Sequence, residues 1–524
     1  MSLFSMRSAL LLTPLLAASP AMAASPAKAA PAAKSSPKAE EACMAMAREN
    51  FGPGVAITSA RMVAAGTMPG EMGAPPVELP AHCRVEGTIN ARQSKGVTYG
   101  IGFAIAMPAN WQGRFLLQGG GGLNGTIRPP IGAAASGKVP ALARGFAVIS
   151  HDSGHKGAVF NRDFMVDQRA ALDFAESSVR EVALLGKAIT RAYYRRPIAR
   201  SYMAGCSTGG RETMLAAQRY PELFDGLVIG APAMRTGNSN LATTYAAVTF
   251  NQAAPRDEAG LPIPAQIFSA ADRKTILDGL LNQCDALDGR KDGMIANVAA
   301  CHFRPAALVC APGSAQNCLS PLQAEVLERA FQPPRDKAGH ALYSPFPYDT
   351  GIVATGGGIP GFLPTGMQGP LGPPIRDLTF DPDARIEAIR ADFVQGLTDT
   401  DRWTNLSGFL GHGGKVLFYH GVSDPWFSAL DTWDYWQRAA AENGSAFTDA
   451  SRFYMVPGMG HCGGGNAFDT FDLLGAVVDW VEKGSAPEAI DAYRRTGTDT
   501  MPLCPYPGFA RYSGDPGRYS CAPR

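Results

Sequence analysis

The hexapeptide Gly205-Cys206-Ser207-Thr208-Gly209-Gly210 constrains this chain more than any other stretch. Before it, Arg200 to Ala204 reads as the end of a strand. After it, Arg211 to Tyr220 reads as a helix turning Met214, Leu215 and Ala217 towards a core. A strand that turns this sharply into a helix strains the residue at the turn, and only small neighbours such as Gly205 and Gly209 let the two elements close up. The side chain at the turn stands at the carboxyl edge of a sheet, beside a helix N-terminus that favours negative charge. A serine held there is a nucleophile elbow. In a chain with 59 glycines, a Gly-x-Ser-x-Gly match alone is equally well a plain turn. The flanking chain decides between them.

Short alternating runs between residues 41 and 115 (Gly87-Thr88-Ile89, Tyr99 to Met107) read as antiparallel strands entering a larger sheet. Arg114 to Leu117 reads as a buried strand running into Gly119-Gly120-Gly121-Gly122, whose bare backbone can offer N–H groups to an oxyanion. Gly145 to Ser150 is a further strand. Asp152 and His155 beyond it precede the serine and read as structural hydrogen-bonders. Helical spacing over 168–194 leads to the elbow strand, and Leu227 to Ile229 follows as the next strand. This strand–helix–strand rhythm predicts an α/β sheet with right-handed crossovers. It stops between residues 234 and 413, a segment rich in proline with a Gly-rich stretch from 351 to 369, expected to lie over the sheet edge as a lid. The rhythm resumes at Lys415 to Tyr419 and again at Arg452 to Val456, before an amphipathic helix over 471–483.

Acyl transfer needs a nucleophile, a base to take its proton and a carboxylate to orient the base. In α/β-hydrolases these come in the order Ser, acid, His, each after a strand. Ser207, Asp424 and His461 meet that order. His420, at a strand end before Asp424, is expected to line the pocket instead. Thr208 N–H is the expected first oxyanion donor, with Gly120 or Gly121 as the second.

Ten cysteines, an even number, imply disulfides in an oxidising compartment. Proximity pairs Cys284 with Cys301, Cys310 with Cys318, Cys504 with Cys521 and Cys43 with Cys83, which leaves Cys206 and Cys462, the neighbours of Ser207 and His461. No Cys-x-x-Cys spacing supports zinc. Export fits the N-terminus: Arg7, an apolar run from Ala9 to Ala18 and Ala21-Met22-Ala23 read as a signal peptide over 1–23, followed by a disordered leader over 24–40. The expected location is periplasmic or secreted. Pro14 and Pro20 bracket too few apolar residues for a membrane span. A net charge of +1 offers no field for nucleic acid.

Asp285, Asp288 and Asp292, with Gly289 and Gly293, make an acidic loop within the lid. Such a loop suits a hard cation as readily as it suits a solvated turn.

The runs Gly-Cys-Ser-Thr-Gly-Gly-Arg-Glu, Gly-Val-Ser-Asp and Gly-His-Cys together resemble the tannase and feruloyl esterase family, over about Cys43 to Cys521. That resemblance implies an α/β-hydrolase core over 41–233 and 414–524, with a large disulfide-stapled, calcium-binding lid over 234–413. It implies a carboxylic ester hydrolase acting on small aromatic esters without organic cofactor. All five cysteine pairs fit the family pattern. The resemblance also implies structural calcium on Asp285, Asp288 and Asp292, with backbone oxygens of Arg290 and Met294, and a pocket containing His420 and Phe427. Trp426 and Trp403 are expected beside the substrate ring. The stretch from Leu342 to Pro347 departs from the family's lid pattern and leaves the acid open. The alternatives are a hydrolase of mono-hydroxyethyl terephthalate in the same family, and a non-catalytic, calcium-stabilised binding protein on the same fold.

Overall fold

The computed structural model of the chain describes residues 37–70, 75–314, 316–354, 362–365, 373–515 and 518–523. The expected signal peptide and the leader as far as residue 36 lie outside the described residues, as does much of the Gly-rich stretch from 351 to 369. Helix α1 (Pro37–Ala45) takes in the last residues assigned to the leader, and the Cys43–Cys83 bond fastens it to the sheet.

Among the described residues a nine-stranded sheet forms the core. Its strands are β1 (Val55–Val63), β2 (His82–Ser94), β3 (Val97–Pro108), β4 (Arg114–Gln118), β5 (Phe146–His151), β6 (Arg200–Cys206), β7 (Gly226–Gly230), β8 (Lys415–Gly421) and β9 (Ser451–Val456). Their spatial order is β1-β2-β3-β5-β4-β6-β7-β8-β9. From β1 to β5 neighbours run antiparallel, and from β5 to β9 they run parallel. The parallel strands are buried on both faces, which is why they read as continuous apolar runs. Alternation along β4 sends Phe115 and Leu117 to one face, against Val179, Val182 and Ile189 of helix α2 (Ser178–Tyr194). It sends Leu116 to the other, against residues that include Leu474, Val477 and Trp480 of the closing helix (Leu473–Lys483).

The helix expected over 168–194 is broken. Residues Asp173–Ser177 wind as a π turn between a short helix, Gln168–Leu172, and α2. A π turn frees backbone carbonyls, and here a buried arginine takes two of them. Arg211 donates to Phe174 O at 2.9 Å and Ala175 O at 2.8 Å. The arginine of the Gly-Gly-Arg-Glu run thus secures the helix that leads into the elbow strand.

Between β7 and β8 the chain builds a separate apolar cluster, centred on Phe250, Phe268, Leu280, Leu327, Phe331 and Phe346. The Cys284–Cys301 and Cys310–Cys318 bonds hold loops within this segment. It is fastened to the sheet by polar contacts as well. Arg235 pairs with buried Asp431. The Ser428 hydroxyl donates to Pro345 O at 2.5 Å. Buried Asp349 accepts from the Ser423 hydroxyl at 2.6 Å and from Gly458 N–H at 2.7 Å. No described helix is long and apolar enough to cross a membrane.

Candidate active site

Ser207 follows β6 directly and opens helix α3 (Thr208–Arg219). Its backbone sits at φ 63° and ψ −124°, a region L-residues rarely enter. The turn persists because its neighbours leave no room for another path. A Cβ at Gly209 would come within 2.7 Å of Gly120 O, so only glycine lets the oxyanion loop pass so close to the elbow. Ser207 N–H donates to Gly230 O at 3.1 Å, tying the turn to the end of β7.

Asp424 lies in the loop after β8 and is buried. One carboxylate oxygen, Oδ1, accepts from the N–H groups of Trp426 at 2.9 Å and Phe427 at 3.1 Å. The other, Oδ2, is 2.7 Å from His461 Nδ1 and 3.2 Å from His420 Nε2. Burial alone pushes this carboxyl up, but the two histidines outweigh it and hold it below the usual carboxylate range. His461 follows β9, and its Nε2 is buried with no hydrogen-bond partner among the described residues. The rings of Trp426 and Phe427 stand 4.8 and 5.2 Å from the His461 ring.

His420 is a correction. It is fully buried and lies behind Asp424 rather than in the pocket. It stands four positions before Asp424 across a tight turn, so its Nε2 meets the carboxylate while Nδ1 pairs with Thr432 Oγ1 at 2.9 Å. Trp403 is corrected too: it is exposed and contributes nothing to the cavity wall. His155, expected as a hydrogen-bonder, stacks on Phe164 with ring centroids 3.5 Å apart. Asp152 accepts from Gly102 N–H and Gly154 N–H at 2.8 and 3.0 Å.

The glycine run after β4 also differs from expectation. Gly120 N–H donates to Glu212 Oε2 and Gly121 N–H donates to Asn124 Oδ1, both at 2.8 Å. Both N–H groups expected to face an oxyanion are therefore spent. Gly122 N–H has no hydrogen-bond partner among the described residues, and the Thr208 hydroxyl donates to Gly122 O, linking the loop to the start of α3. Sequence reading passed over Glu212 and Asn124. The signal for the first was its place in the Gly-Gly-Arg-Glu run.

The Cys206–Cys462 bond joins the residues beside Ser207 and His461, with Cα atoms 5.9 Å apart. The other four expected pairs are bonded as well. Ser207, His461, Thr208 and Gly120 to Gly122 border one cavity of about 1210 Å³. Trp426, Phe427 and Phe160 give it an aromatic wall, Phe160 lying edge-on to Trp426 at 6.4 Å. The lid helix Thr236–Ala253 contributes Asn240, Thr243, Thr244 and Phe250 to the same cavity.

In the acidic loop Asp285 and Asp288 are buried and Asp292 is exposed. The Asp285 carboxylate accepts from Asp292 N–H and Gly293 N–H, both at 3.1 Å, and Asp292 accepts from the Tyr519 hydroxyl at 2.9 Å. Burial, then repulsion from Asp292 and Asp285, pushes Asp288 up to about 6. Among the described residues no group of three His, Cys, Asp or Glu side chains is arranged to hold a metal ion.

The family model for tannase and feruloyl esterase matches residues 83–368 and 376–523. Mono(2-hydroxyethyl) terephthalate hydrolase of Piscinibacter sakaiensis is 36% identical over 505 residues, covering 83% of each chain. Probable feruloyl esterase B-2 of Aspergillus terreus is 30% identical over 519 residues, covering 92% of this chain and 94% of its own. Among solved structures, feruloyl esterase B from Aspergillus oryzae superposes with a TM-score of 0.73 at 24% identity, covering 92% of this chain and all of that one. Tannin acyl hydrolase from Aspergillus niger superposes at 0.68 and 22% identity, with 93% and 95% covered, a likeness of fold.

Proposed function

This chain belongs to the tannase and feruloyl esterase family and is a carboxylic ester hydrolase; from that premise we propose that it cleaves esters of small aromatic acids through Ser207, His461 and Asp424. Asp424 fixes Nδ1 of His461 as the protonated nitrogen, so Nε2 is free to act as base. As Ser207 Oγ attacks the ester carbonyl, His461 Nε2 takes its proton. The oxyanion that forms accepts from Thr208 N–H and Gly122 N–H. Collapse expels the alcohol, which leaves with the proton from His461. A water then attacks the acyl-enzyme by the same route and releases the acid and Ser207.

One observation carries this reading. A buried imidazole is bonded to a carboxylate through one nitrogen at 2.7 Å, and its other nitrogen is unpartnered, in a cavity it shares with a serine on a strained elbow. The aromatic wall supports an aryl acid, since flat rings gain most by stacking and edge contact. The cavity is larger than one such acid needs, and the hydroxyl and amide groups on the lid helix favour an alcohol that itself carries hydroxyls. Five disulfides and the N-terminal pattern support export.

The test is hydrolysis of methyl ferulate, methyl gallate, mono(2-hydroxyethyl) terephthalate and a long-chain lipid ester. Preference for one aryl ester names the acid, and identity to the terephthalate hydrolase makes that monoester a specific contender. Aryl esters left untouched by folded protein would sink the reading in favour of a binding role.

We propose in addition that the acidic loop takes a structural calcium ion. Two buried carboxylates beside a third, with Asp288 raised by burial and then by its acidic neighbours, form a donor set whose charge suits a hard cation. The N–H groups that Asp285 now holds compete with the ion for its oxygens. Stripping metal with a chelator should lower the melting temperature, and excess calcium, unlike excess sodium, should restore it. An unmoved melting curve ends this proposal and leaves the chemistry at Ser207 untouched.

A further inference from the structure

We propose that Glu212 is a positioning residue that sets the oxyanion loop for the tetrahedral intermediate, a role that rests on the esterase reading above. Glu212 is fully buried, one turn beyond Thr208 on helix α3. Its Oε2 accepts from Gly120 N–H at 2.8 Å, and its Oε1 accepts from Asn124 Nδ2 at 3.0 Å and the Ser153 hydroxyl at 3.2 Å. Asn124 passes the contact on, because its Oδ1 accepts from Gly121 N–H at 2.8 Å. That bond also fixes which end of the Asn124 amide faces Glu212.

Every group that hydrogen-bonds to Glu212 here is a donor, and the buried His151 ring stands with Nε2 3.8 Å from Oε2. A side chain that only accepts satisfies all of them, whereas an amide would set an N–H against one of these donors. Burying a carboxylate is costly unless its oxygens are bonded, and a negative charge near a developing oxyanion works against the reaction. Those three donors offset the cost of burial, and the geometry shows what the carboxylate does in return: Glu212 and Asn124 draw the N–H groups of Gly120 and Gly121 into the protein, leaving Gly122 N–H as the loop's donor without a partner among the described residues. The Thr208 hydroxyl holds the carbonyl of that same Gly122. Both oxyanion donors are thus referenced to one helix, Thr208 through its own backbone and Gly122 through the side chains of Glu212 and Thr208. Donors fixed before the charge develops are what makes an oxyanion hole effective.

The experiment compares wild type with Glu212→Gln in the full chain. It measures turnover of the best aryl ester, binding of an arylboronic acid that mimics the tetrahedral intermediate, and binding of the free aromatic acid. The expected result is a kcat lowered by about 10–100-fold, short of the loss from deleting a donor outright. Boronate affinity should fall by the factor that kcat/KM falls, while KM and product affinity hold within about 3-fold. Unchanged kcat and boronate affinity overturn the proposal. So does a loss shared equally by product binding, which is what general disorder of the site produces. If Glu212→Gln does not fold, Ser153→Ala removes a single donor from the same carboxylate and should give the same pattern at smaller size; no effect on kcat or boronate binding there also overturns it. Wild type inert towards every ester and blind to the boronate would sink the esterase reading, and this proposal with it.

Discussion

Ser207→Ala should abolish ester hydrolysis, with kcat falling by about 10⁶-fold, because the nucleophile and its base act as a unit. The aryl ester should still bind, since the aromatic wall of Trp426, Phe427 and Phe160 is untouched. Stability should barely move, as Ala inherits the same backbone strain at φ 63°. Ser207→Gly separates strain from chemistry. It should be just as inactive, yet gain about 1 kcal/mol or more of stability, because glycine occupies this region without penalty. Thermal melting of the two variants beside their turnover is the measurement. Residual activity in either above the background of an inactive His461→Ala control would mean that another group attacks the ester.

Removing the Cys206–Cys462 bond should have the second largest effect, and on two quantities together. The residues are 256 apart in sequence, so in the chain-entropy model the bond contributes about 5 kcal/mol against the unfolded state. The same bond ties the neighbour of Ser207 to the neighbour of His461. In Cys206→Ala/Cys462→Ala, kcat should therefore drop by about 10–100-fold beyond anything unfolding explains, since small misplacements of reacting groups carry costs of that size. Cys310→Ala/Cys318→Ala is the control. That bond spans 8 residues in the lid, is worth about 2–3 kcal/mol by the same relation, and should leave kcat unchanged at temperatures where the variant is folded. Equal loss of kcat in both double variants would reduce the Cys206–Cys462 bond to a staple like the others.

Much of this arrangement was legible in the chain. Ser207, Asp424 and His461 each follow an apolar strand, and the parallel strands are buried on both faces, so periodicity and chain order were enough to place all three at the ends of those strands. Cysteine spacing was enough to pair the thiols. Much of what stayed hidden depends on partners far apart in sequence. Nothing near the glycine run says that Gly120 N–H is consumed, because its acceptor, Glu212, lies 92 residues away, although Asn124, which takes Gly121 N–H, is close by in the chain. His420 ends a strand as a pocket residue would, but the tight turn that follows folds Asp424 over it. The π turn at Asp173–Ser177 leaves the helical spacing around it intact, and its stabilising arginine belongs to a different element. The lid's grip on the core was hidden in the same way, since Asp349 gives no local sign of reaching Ser423 and Gly458.

That grip has a consequence for how this architecture can change. Asp349 holds the residue before Asp424 and the loop that carries His461, and Ser239 holds the carbonyl of Trp426. A cover that swings away to admit substrate would release these bonds and loosen Asp424 and His461, the proposed acid and base, at each opening. These bonds predict a segment that stays in place during turnover, with substrate entering by the standing mouth of the cavity. Shortening the insertion does not yield a smaller esterase with a wider door. Its interior face is bound into the loops that carry Asp424 and His461, so in descent or in design it can be resurfaced along the cavity wall far more readily than it can be trimmed away.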